Sequence, residues 1–464
     1  MYDSKLITLI STFSDEDRRK LRKWIKSDFV NKNEDIVNFF EFIDSRSSIT
    51  ERTVSKEKAH DYLYPNTPYH DLRIRHLIWM TTEIVENFIV YRSVMQQPSL
   101  KKQYLAQYYT DKELYKFANQ TIEEAITTLE KMKSDSAAIH LHQYHIYSLF
   151  YQIQSKNKRT EDFKLQELID HATLFSIIET LKYACIIQSL QKISELKIEN
   201  HLLNATLTLL ENPVFLKDIA VRIYYNIYLV VRDENEKAFT DFIKDLKANS
   251  KSFNPQDLKD LYLLGINFCV KKSNQNLEAY TKQAFELYIY AIKNGYLLEH
   301  NEISRFSFTN VVTLGIKLKE YSKTEKFIQE YADYIARDYR KNTVDFNSAK
   351  VFYSKEQPHK ALKILLTNEF NDMLWNLNAK YLVLKILFET KDIDTFAIYL
   401  KAFKNYIKRK SNIGYHQTYF MNVGKALTVL MDIYKKPEHY KGFSFDKETP
   451  DVEWFNKALK GIEK

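Results

Sequence analysis

Few residues in this chain have a type and spacing that could do chemistry. His140, His142 and His145 fall in one stretch that reads as a helix. Side chains three apart on a helix share a face, so His142 and His145 could offer two neutral imidazoles to a metal ion. A metal site needs a third or fourth ligand. The neighbouring chain supplies only amides, hydroxyls and tyrosines, and an amphipathic helix surface is the simpler reading. Paired carboxylates such as Asp15 with Asp17, or Glu123 with Glu124, sit where helix starts and exposed faces account for them. HExxH, CxxC and GxSxG are all missing. The chain has 7 glycines and none before Gly265, and no pair fits GxGxxG or GxxxxGK[ST]. These patterns point away from an enzyme and predict no cofactor and no metal.

A second cluster is electrostatic. Arg18, Arg19, Lys20, Arg22, Lys23 and Lys26 surround Trp24, and a basic helix with an aromatic can meet phosphates. However, Leu21, Trp24 and Ile25 form the apolar stripe, which leaves the charges on the solvated side. Arg73 and Arg75 open a long helix after a short one, as in a helix-turn-helix, yet the connection carries Pro65 and Pro68 and no glycine. Nucleic-acid binding through Arg18, Arg19 and Lys23 is therefore the alternative function. Net charge is +8, from 68 Lys+Arg against 60 Asp+Glu. That excess permits an acidic partner without demanding one.

The elements that must position these residues are helices. Sheets joined by tight turns need Gly, Asn-Gly or Asp-Gly, and this chain has 7 Gly, 8 Pro and one Asn-Gly, at Asn294-Gly295. Apolar residues recur at three- and four-residue spacing. Ser14-Asp15-Glu16-Asp17 reads as an N-cap with an acidic first turn. The spacing predicts a long helix over 69–95, with Leu72, His76, Trp79, Ile84 and Phe88 on its apolar face. Beyond Pro98, helical blocks are expected over 112–132, 137–156, 162–197, 200–211, 215–232, 235–249, 255–272, 276–294, 301–320, 322–339, 343–354, 357–368, 371–389, 392–409 and 412–435, with a last helix over 451–461. Short connections make neighbours antiparallel. The expected organisation is an N-terminal helical unit (1–95), a hairpin array (96–436) and a loop with a capping helix (437–464).

Two segments share a spacing: Asn226, Leu229, Ala238 and Phe242, and again Ala349, Phe352, Ala361 and Leu365. Leu264-Gly265, Leu314-Gly315 and Val423-Gly424 add small residues inside helices, where glycine normally has a packing reason. This pattern resembles the tetratricopeptide repeat (TPR) in degenerate form. The 34-residue period is absent, and Leu277 and Phe327 stand where a small residue is expected on the second helices. The start of the chain also resembles, more loosely, an uncharacterised bacterial family of helical-repeat proteins, through Trp24-Ile25-Lys26-Ser27-Asp28-Phe29 and Tyr62-Leu63-Tyr64-Pro65. The fold expected is all-α, an irregular TPR-like solenoid. The resemblance implies a non-enzymatic module that binds a protein or peptide in a groove built by first-helix residues. If Gly265, Gly315 and Ala349 face second helices, the neighbouring turn nominates Tyr262, Lys319, Lys350 and Tyr353 as partner contacts. Cys185 and Cys269 read as buried free thiols of a reducing compartment. No apolar run approaches a membrane span, since Lys385 interrupts the most apolar segment, Tyr381 to Phe388. A cytoplasmic location is expected.

Overall fold

The computed structural model describes residues 1–46, 48–131, 136–157, 163–191, 196–370, 372–409, 415–440 and 442–462. Parts of the helices expected over 112–132, 162–197, 371–389 and 412–435 lie outside these described residues. The protein is all-α, as the spacing predicts. Two compact units are present, residues 1–180 with 204–221 and residues 181–203 with 222–464.

The first unit contains α1 (Lys5–Ser11), α2 (Asp15–Ile25), α3 (Glu34–Asp44), α4 (Lys56–Leu63), α5 (Asp71–Met95), α6 (Pro98–Asp111), α7 (Tyr115–Lys131), α8 (Ala137–Asn157), most of α9 (Leu165–Gln191) and α10 (Leu203–Leu209). Ser14 caps α2: its Oγ accepts from the Asp17 amide at 3.2 Å and donates to the Asp17 carboxylate at 2.8 Å. Leu6, Ile10, Leu21, Ile25, Phe39, Phe42, Leu77 and Val85 share one core. Ala106, Ala118, Ile122, Ala125, Ile146 and Ile153 share another.

Two expectations are corrected here. Helix α5 buries Ile74, Leu77, Thr81, Val85 and Phe88, whereas Leu72 is 69% and Trp79 62% exposed. At 100° per residue the row 72–76–79 lies opposite the buried row. A helix apolar on two sides does not announce which side it buries. The other correction is α6. Pro98 opens that helix instead of separating two others, since the first helical position needs no N–H.

The second unit contains most of α11 (Ile219–Asp233), α12 (Glu236–Ala248), α13 (Pro255–Asn274), α14 (Glu278–Lys293), α15 (Arg305–Lys317), α16 (Tyr321–Tyr331), α17 (Arg337–Ser354), α18 (Pro358–Thr367), α19 (Met373–Glu389), α20 (Ile393–Arg409), α21 (Tyr415–Lys435) and α22 (Val452–Ile462). A short antiparallel pair, β1 (Leu298–Glu299) and β2 (Glu302–Ile303), was not anticipated. His300 and Asn301 both take positive φ between its strands, as a two-residue type I′ loop requires.

One turn recurs through this unit. Asn276, Lys319, Glu356 and Lys391 each adopt the left-handed conformation two residues before a second helix begins. In each, the next amide bonds back to the preceding helix: Leu277 to Lys272, Glu320 to Gly315, Gln357 to Phe352 and Asp392 to Leu387. This is the Schellman closure, which usually takes glycine. A chain with so few glycines makes it with Asn, Lys and Glu instead. The left-handed residues are spaced 43, 37 and 35 apart, so no fixed period is visible in the sequence.

Where first and second helices cross, small residues are required. A Cβ on Gly315 would stand 2.1 Å from Thr324 Oγ1 of α16, and one on Gly265 would stand 3.0 Å from the Phe242 ring of α12. The small partner of Gly315 is thus Thr324, one turn ahead of Phe327. Leu277 precedes α14 and is 42% exposed, outside the crossing. Helix α17 also packs directly on both α15 and α19.

Candidate functional site

A seam of polar side chains runs across α15, α17 and α19. Lys350 Nζ of α17 donates to Thr313 Oγ1 of α15 at 2.6 Å, and Asn347 Nδ2 donates to Thr309 Oγ1 at 2.9 Å. On the other side, Tyr353 OH donates to Glu389 Oε1 of α19 at 2.8 Å. Lys385 of α19 lies over the Tyr353 ring, 5.8 Å from its centroid. The seam arises because alternate helices touch, so one face of each first helix meets polar groups of the next instead of a second helix.

The electrostatics of the seam are uneven. Lys385 Nζ is paired with Asp451 Oδ2 at 2.8 Å, and the same oxygen accepts from Tyr381 OH at 2.9 Å. Lys350 has no carboxylate among the described residues. Desolvation, with the Lys385 charge beside it, pushes its ammonium down to about 8. Burial and the Glu389 carboxylate hold the Tyr353 phenol well above its usual range, and burial with Asp451 does the same to Tyr381.

The nominated residues separate. Lys350 and Tyr353 lie in the seam, both half-buried. Lys319 is exposed but occupies the left-handed turn after α15, so backbone closure explains its position. Tyr262 is 1% exposed, its hydroxyl 3.3 Å from Ser250 Oγ and its ring stacked on Tyr296. It is a core residue and is withdrawn as a partner contact. The face expected to look outward on α13 looks inward because Gly265 meets the preceding α12 and not its own α14.

On α2, Lys20 pairs with Glu16, Arg22 with Asp44 and Lys26 with Glu41. Arg18 is half-buried, Arg19 Nε donates to the Asp15 carbonyl at 3.4 Å, and Lys23 is exposed. Arg73 lies over the Tyr64 ring at 3.5 Å and reaches Asp35, while Arg75 pairs with Asp71. Much of this basic charge is therefore spent on neighbouring carboxylates.

The histidine cluster also resolves differently. His140 is buried, with its Nδ1 3.1 Å from His171 Nδ1 and its Nε2 3.1 Å from Asp218 Oδ2. Tyr147 stacks on the His171 ring. Burial, then the His140 ring, pushes His171 down to about 4, and burial with His145 lowers His142. No group of three His, Cys, Asp or Glu that could hold a metal is found among the described residues. Cys185 and Cys269 are buried and free, and burial pushes both thiols up to about 12. No described helix is long and apolar enough to cross a membrane.

Sequence reasoning missed Tyr381, Lys385, Glu389, Asp451 and Trp454 as members of the seam. One signal was present: a lysine in the most apolar stretch of the chain needs a partner, and Lys385 has one in Asp451. His171 and Asp218 were missed because they reach His140 only through tertiary structure. Compared with known family models, curated proteins and solved structures, the chain matches none.

Proposed function

We propose that this protein is a non-enzymatic, TPR-like helical-hairpin module that binds a protein or peptide partner along the seam of α15, α17 and α19. The observation that carries the reading is Lys350. It is half-buried between α15 and α19, stands beside a second lysine and has no carboxylate among the described residues, so its charge is poorly compensated. Such a group fits a site completed by an acidic partner. The Lys385 ammonium lies beside it and over the Tyr353 ring, and Phe346 lies 5.9 Å from Lys350 Nζ; ammonium groups beside aromatic faces recognise acidic, partly apolar segments. The recurrence of left-handed turns and the direct packing of alternate first helices support a solenoid-like stack. The nucleic-acid reading is narrowed to Arg18, Arg19 and Lys23, because carboxylates already pair with Lys20, Arg22 and Lys26.

Affinity capture from native cells, with nuclease, tests the proposal. The tagged wild type is compared with Lys350→Glu and with a triple variant of Arg18, Arg19 and Lys23 to Ala. A partner lost with Lys350→Glu and kept by the triple variant is expected. Loss of all co-purifying protein on nuclease treatment, or loss only in the triple variant, overturns the reading in favour of nucleic acid.

A further inference from the structure

The C-terminal helix is seated on the same seam. Asp451, just before α22, gives one carboxylate oxygen to both Lys385 and Tyr381. Three residues on, the Trp454 indole donates to Glu389 Oε1 at 2.7 Å, and its ring lies 5.0 Å from Lys385 Nζ and edge-on to Tyr381 and Phe388. Glu453 accepts from Asn276 at 3.4 Å. The helix is strongly amphipathic, burying Trp454, Phe455 and Leu459.

Its connection is unlike that of the other second helices. Those follow the preceding helix within a few residues, whereas α21 ends at Lys435 and α22 begins only at Val452, directly after left-handed Asp451. Phe455 is fully buried in the core shared with α19–α21, but the end of the helix is loosely packed. A cleft of about 220 Å³ remains between it and α19 and α21, lined by Phe388, Tyr434, Lys457, Gly461 and Ile462 among others. A Cβ on Gly461 would meet nothing within 4 Å. Lys350, beside Lys385, has no acid from this occupant among the described residues.

We propose that residues 451–462 are a built-in occupant of the seam, and that the partner is an amphipathic helix of the same chemistry that displaces them. The partner presents an acidic residue to Lys385 and Tyr381, an aromatic ring three residues later, and a second acid to Lys350. This inference rests on the docking function proposed above. A tethered segment competes at an effective concentration on the order of millimolar. A displacing helix must therefore make an interaction that the tethered one does not, and the acid on Lys350 is that interaction.

The test uses the full chain and a labelled peptide of residues 446–462. Asp451→Lys sets two lysines against each other and releases the resident segment. The peptide is expected to bind Asp451→Lys at least about tenfold tighter than wild type, and to lose that gain when Lys385→Glu is added. A peptide variant with one extra acid placed to meet Lys350 is expected to bind tighter again. Equal binding to wild type and Asp451→Lys overturns the proposal, and so does collapse of the cooperative unfolding of Asp451→Lys. Native-state hydrogen exchange of the wild type gives a reading independent of any variant. Amides of α22 are expected to exchange at least about 100-fold faster than those of α19, and equal protection makes α22 a structural cap. Partner capture that depends on Lys350 while α22 is as protected as α19 removes this inference alone. An opening α22 with partner capture indifferent to Lys350→Glu removes the docking function itself.

Discussion

Lys350 and His171 are two basic side chains whose charged forms the fold opposes. The folded state depresses the Lys350 ammonium from its ordinary 10.5 to about 8. The unfolded chain therefore holds the proton more tightly, and below about pH 8 the group subtracts from stability. Lys350→Met is expected to raise stability at pH 7 by about 1–2 kcal/mol while abolishing partner binding. Chemical denaturation across pH checks this: the advantage of the variant shrinks from pH 8 to 10.5, where wild-type Lys350 becomes neutral in both states. His171, depressed from 6.5 to about 4, behaves in the same sense at lower pH. Its contribution is present above pH 6.5 and is lost as pH falls toward 4, by at most about 3 kcal/mol. His171→Phe is expected to flatten the wild-type loss of stability between pH 6.5 and 4. An unchanged slope contradicts the assignment.

At the level of elements, the sequence was legible wherever a rule is local. The cap at Ser14, the helices over 235–249, 255–272 and 357–368 and the all-α class all follow from spacing and glycine scarcity. Illegible features depend on which neighbour a helix meets. Helix α5 is apolar on two sides, α13 turns Tyr262 inward, and Asp451 reaches Lys385 across 66 residues. The turns were hidden for another reason, since the left-handed positions are filled by Asn, Lys and Glu instead of the glycine that marks them. Lys319→Gly and Glu356→Gly should each stabilise by about 0.5–1 kcal/mol, because glycine adopts that conformation without the Cβ penalty. Glycines inside helices separate by what faces them. Gly315→Ala drives a Cβ onto Thr324 and is expected to cost about 2 kcal/mol. Gly424→Ala meets the flexible Lys404 chain at 3.5 Å and the Phe403 ring at an ordinary 4.0 Å, and should be neutral or stabilising by up to about 1 kcal/mol. Thermal melts of these four variants check both groups. A stabilised Gly315→Ala contradicts the crossing assigned to it.

For the whole molecule, the proposed docking face is one row of side chains in the second unit, while Lys20, Arg22 and Lys26 at α2 are held by neighbouring carboxylates. The most direct test places a photo-reactive phenylalanine analogue at Thr313, exposed at the edge of the seam, and separately at Lys23, exposed on α2. Irradiation in native cells then reports what lies against each surface. The account predicts a discrete protein adduct from position 313, lost when Lys350→Glu is added, and none from position 23. Adducts to nucleic acid from position 23, with position 313 silent, contradict it.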